Sequence, residues 1–85
     1  MGPNKGGIGM KYCFYVKPNV DYTKYGFRYD GYDNCYKLWR KTWRMRIKKP
    51  SMSLSFNIVT AEVLKIFMDM IVDGVVVAKK ERKND

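Results

Sequence analysis

The chain has 85 residues, of which 17 are Lys or Arg and 8 are Asp or Glu, with no His, for a formal net charge of +9; 46% are apolar and 15% aromatic. So much apolar content excludes a disordered tail, and so short a chain folds as one domain with a small core. The lack of histidine removes an imidazole base, an imidazole metal ligand and a switch near neutral pH, and with them Ser-His-Asp, Cys-His and zincin chemistry.

Residues 1–9 carry four glycines and one proline and read as a flexible N-terminal arm; they lack the apolar run of a signal peptide. Residues 10–80 read as a single α+β domain, and 81–85 as a charged C-terminal tail. Lys11 to Val16 is rich in aromatic and β-branched residues and predicts a strand that ends at the turn signal Lys17-Pro18-Asn19. Residues 25–30 place Tyr25, Phe27 and Tyr29 on one face and predict a second strand, closed by Asp30-Gly31-Tyr32-Asp33-Asn34, in which Gly31 is free to take positive φ.

The segment from Asn34 to Lys48 admits two readings. As a helix it sets Tyr36, Trp39, Trp43 and Ile47 on one stripe, facing the core, with Lys37, Arg40, Lys41, Arg44 and Lys48 opposite; Leu38 and Met45 fall off the stripe. As a strand over 42–48 it alternates Trp43, Met45 and Ile47 with Arg44, Arg46 and Lys48. The helix is the favoured reading, with both tryptophans buried; the competing role for the rings is to stack on unpaired bases.

Residues 51–58 give the cleanest pattern in the chain, Met52, Leu54, Phe56 and Ile58 alternating with Ser51, Ser53, Ser55 and Asn57, and predict a half-buried strand with an uncharged polar face. Thr60 caps a predicted helix that runs to Asp73, with Gly74 as its stop. Its polar members Glu62, Lys65, Asp69 and Asp73 occupy one wedge and the rest is apolar, so a homodimer through helix 60–73 is one way to cover it, and enclosure within one chain is the other. Val75 to Ala78 predicts a last strand. The expected fold is α+β, with a small antiparallel or mixed sheet of four to five strands packed on one or two helices.

Two cysteines, Cys13 and Cys35, form no CxxC motif. They are expected as buried free thiols rather than a disulfide, and no metal site or cofactor is expected. Residues 54–78 are interrupted by Glu62, Lys65, Asp69 and Asp73, short of the roughly 18 uncharged residues of a membrane span, so none is expected and the cytoplasm is the expected location.

Charge is unevenly placed. No acid occurs between Asn34 and Ala61, while Lys37, Arg40, Lys41, Arg44, Arg46, Lys48 and Lys49 crowd thirteen residues; either reading of the segment segregates basic side chains on one face. There is no GxxxxGK[ST] or GxGxxG loop for a small phosphate ligand, and no catalytic constellation stands out. The expected partner is therefore nucleic acid, RNA or DNA, bound without catalysis by those seven residues, with Arg28, Lys79, Lys80, Arg82 and Lys83 as helpers. The alternative is a protein-protein interaction module that meets an acidic protein surface, such as a phage or mobile-element accessory protein that inhibits a host protein.

Overall fold

The computed structural model describes residues 11–78; the expected arm and tail lie outside them. Six strands and a helix follow in the order β1 (Tyr12–Val16), β2 (Arg28–Asp30), β3 (Cys35–Trp39), β4 (Arg44–Lys48), β5 (Ser53–Phe56), α1 (Ala61–Val72) and β6 (Val76–Ala78), with a short 3-10 turn at Tyr22–Tyr25. The strands form one antiparallel sheet in the order β2-β3-β4-β5-β1-β6. The fold is α+β as expected, with one strand more than the upper expectation and one α-helix among the described residues.

The helical reading of 34–48 is overturned. The segment is the β3–β4 hairpin, paired from Cys35↔Lys48 to Trp39↔Arg44 and closed by the Arg40 N–H donating to the Trp43 carbonyl at 2.9 Å. The reason lies in Leu38 and Met45, which a helical stripe leaves outside; as cross-strand partners they are 4% and 0% exposed. A strand period of two buries them together with Ile47, whereas a period of 3.6 cannot. The preceding turn also differs from expectation, since the positive φ falls on Asn34 (55°) rather than on Gly31. Asparagine tolerates that conformation better than most residues.

One face of the sheet builds the core. Val16, Leu38, Met45, Ile47, Leu54 and Phe56 are buried on it. α1 covers one half: the Phe67 ring lies 4.7 Å from Phe14 and 5.4 Å from Phe56. Segment 17–27 covers the other, with the Tyr22 ring 5.5 Å from Tyr36 and the Tyr22 hydroxyl donating to the Lys17 carbonyl. The two covers are joined where the Tyr25 hydroxyl donates to Asp73 Oδ2 at 2.5 Å.

α1 begins as predicted, the Thr60 hydroxyl oxygen accepting from the Val63 N–H at 3.2 Å, and it is followed by Gly74 at φ +77°, a conformation costly for other residues. It buries Val63 and Met70 and half-buries Ile66 and Phe67, while Leu64, Met68, Ile71 and Val72 stay exposed along one side. Both thiols are free, Cys35 buried but Cys13 exposed. β4 and β5 stand between β1 and β3, which separates the thiols by about three strand spacings of 4.8 Å, twice the reach of a disulfide.

Candidate nucleic-acid interface

Because side chains alternate along each strand, the residues that skip the core project from the opposite face, away from both α1 and segment 17–27. Register aligns them in rows across the strands. The middle row runs Arg28, Lys37, Arg46, Ser55 and Cys13. Toward the β3–β4 turn, Trp39 stands opposite Arg44, and next to it lies Asn57, whose N–H donates to the Arg44 carbonyl at 3.4 Å. On the other side Lys48 lies between Cys35 and Ser53.

Of the seven residues singled out from the sequence, the hairpin brings Lys37, Arg44, Arg46 and Lys48 onto this open face. Arg40 and Lys41 occupy the turn beside it. Lys49 is not with them: its ammonium lies 5.3 Å from the Tyr29 ring and 5.8 Å from the Tyr36 ring, on the core side. The alternation along β4 accounts for it, since Arg44, Arg46 and Lys48 point to the open face and the odd positions Met45, Ile47 and Lys49 to the other.

The cations differ in what already occupies them. Lys37 is held by Asp30 at 2.8 Å and by Asp33. The Lys37 hydrogen bond keeps the Asp30 carboxyl below the usual carboxylate range, and the two carboxylates raise the Lys37 ammonium above its ordinary value. Arg40 Nε donates to Glu62 Oε2 at 3.1 Å, and the Trp43 indole N–H donates to the other oxygen of Glu62 at 3.3 Å. Glu62, in the first turn of α1, thereby fastens the β3–β4 turn to the helix. Lys11, Arg28, Lys41, Arg44, Arg46 and Lys48 have no ion pair among the described residues. Asp69 and Asp73, the other acids of α1 and its cap, face Lys65 and Lys24 on the far side of the molecule.

The expectation of two buried tryptophans is half overturned. Trp43 is 4% exposed, but Trp39 is 57% exposed on the open face, with the Lys37 ammonium 5.6 Å and the Arg44 guanidinium 5.9 Å from its ring. Its alternation with Leu38 puts it there, a signal available in the sequence once β3 is read as a strand. Lys11, Ser55 and Asn57 also belong to this surface and were not singled out as binding residues; only the uncharged polar face of 51–58 pointed toward them.

Shallow depressions mark the surface. One of about 540 Å³ lies at the sheet edge between β2 and Trp39, where Arg28, Asp30, Lys37 and Arg40 meet Gly26, Tyr29 and Leu38 from the core side; one of about 320 Å³ lies at the β3–β4 turn; one of about 270 Å³ is lined by Lys11, Arg44, Arg46, Ser55 and Asn57. Among the described residues, no group of three His, Cys, Asp or Glu is placed to hold a metal ion, and no helix is long and apolar enough to cross a membrane.

Fold and surface together define a small α+β domain with a six-stranded antiparallel sheet, covered on one face and presenting cations and the exposed rings of Trp39 and Tyr15 on the other. Comparison with protein-family models, with curated proteins and with solved structures finds no match to this chain.

Proposed function

We propose that the protein binds nucleic acid through the open face of its sheet. The observation that carries this reading is the grouping of Arg28, Arg44, Arg46 and Lys48, without an ion pair among the described residues, on a face that no described element covers. Such a cluster repels itself unless it meets a polyanion or water. Fluorescence anisotropy with a labelled oligonucleotide at low salt tests it. The double variant R44E/R46E is expected to lose at least about tenfold in affinity while remaining folded, since both side chains leave the core untouched. K24E, in the segment that covers the core face, is the control and binds as the parent does.

The exposed side of α1 supports a second contact. Leu64, Met68, Ile71 and Val72, 44%, 52%, 40% and 79% exposed, are too contiguous to be scattered surface apolar residues. We infer a second copy of the chain there, because a two-fold contact sets this apolar stripe against itself, and Lys65 and Asp69 beside it pair with each other and place no unmatched charge at its edge.

A further inference from the structure

We propose that the ligand of the open face is an unpaired nucleotide strand, with one base stacked on Trp39 and its backbone following the depressions on either side; this rests on the nucleic-acid reading above. The three depressions form a series, because neighbours share their walls. Trp39 and Arg40 line both the first and the second, and Arg44 and Asn57 line both the second and the third. A chain laid along them passes the indole between the first and second and then enters a bay where Lys11, Arg44 and Arg46 surround the neutral Ser55 and Asn57.

The composition of this path separates a single strand from a duplex. Phosphates alone would need only the cations, and a surface for them gains nothing from a half-exposed indole. A duplex hides the faces of its bases in the stack, and it is entered by a helix or a two-stranded ribbon that fits the major groove, about 12 Å wide. Among the described residues this surface is a broad sheet without a projecting element. An unpaired strand, by contrast, offers π-faces, and open sheets with exposed aromatic rings are a recurrent platform for them. Trp39 is suited to the task because its ring has no role in the core. Arg44, its cross-strand partner, holds a guanidinium over the ring, 5.9 Å from its centroid, so a base that takes the ring face displaces the guanidinium toward the phosphate next to that base. Ser55 and Asn57 supply donors and acceptors for base edges without a charge requirement.

The test compares short labelled oligo(U) and oligo(dT) with a duplex of equal phosphate number, with an abasic strand of equal length, and with phosphatidylserine-phosphatidylcholine vesicles. Either oligonucleotide is expected to bind more tightly than the duplex and the abasic strand, and the tighter of the two assigns the sugar. Trp→Ala at position 39 is expected to weaken single-strand binding by about 5- to 140-fold and to leave duplex and abasic binding, and the salt slope, unchanged. W39F, which keeps a ring, restores most of the loss, and indole quenching by the strand disappears in both variants. Equal affinity for strand and duplex, or unchanged binding by W39A, overturns the single-strand assignment while nucleic-acid binding stands. Vesicle binding with no oligonucleotide binding overturns both.

Discussion

Trp39 and Trp43 stand four positions apart and have opposite environments, one ring 57% and the other 4% exposed. Trp43→Ala is expected to cost about 3–5 kcal/mol and Trp39→Ala no more than about 0.5 kcal/mol, read from urea midpoints of the two variants. Equal costs would contradict the placement of the rings. Two tyrosines make the alkaline limit of stability testable. The Tyr22 hydroxyl is pushed up to about 12 by burial and by Tyr36 beside it; Tyr25 is also pushed up to about 12, by burial and then by its bond to Asp73. The unfolded chain releases these protons near pH 10 and the folded chain retains them, so their contribution is complete below about pH 10 and is lost as pH rises toward 12. Lys37 acts in the same direction, because its raised ammonium remains charged where the unfolded lysine does not. Denaturation midpoints should fall steeply above pH 10 in the parent and less steeply in Y22F and Y25F; identical slopes would show that the phenols do not contribute.

The elements differ in how far local sequence reveals them. β5 and α1 were legible because an unbroken alternation and a capped apolar run each point to one period. The β3–β4 hairpin was not, for two physical reasons. Trp39, Trp43 and Ile47 happen to repeat at helical spacing, and the turn between the strands, Arg40-Lys41-Thr42-Trp43, has no Gly, Pro, Asn or Asp to announce it. What holds that turn is Glu62, 22 positions from Arg40 and 19 from Trp43, a tertiary contact invisible in a local window. The basic face was legible in either reading, since both segregate charge; the exposure of Trp39 followed from the missing turn, and Lys49 falls on the core side because it shares the parity of Met45 and Ile47. The helix carries its own prediction. Met70 is fully buried and Met68 is 52% exposed, so Met70→Asp is expected to unfold the domain. Met68→Asp should leave it folded and convert a dimer to monomers in sedimentation velocity. A parent monomeric at all concentrations would remove the second-copy contact without touching the sheet face.

For the whole molecule, the sheet divides labour between its faces. Core aromatics, α1 and segment 17–27 occupy one face, and the acids of α1 are engaged by Arg40, Trp43 and Lys65, which leaves the unpaired cations among the described residues concentrated on the other. That division makes a long-range field directed from one side, able to gather a polyanion before any close contact forms. The measurement that tests it most directly is the salt dependence of oligonucleotide affinity for the parent and R44E/R46E. With about four to six phosphates neutralised, log K should fall against log salt with a slope of about −3 to −5, and the variant should lose about two from that magnitude. No binding at low salt, a slope near zero, or the same slope in the variant would contradict the assignment of the open sheet face to nucleic acid.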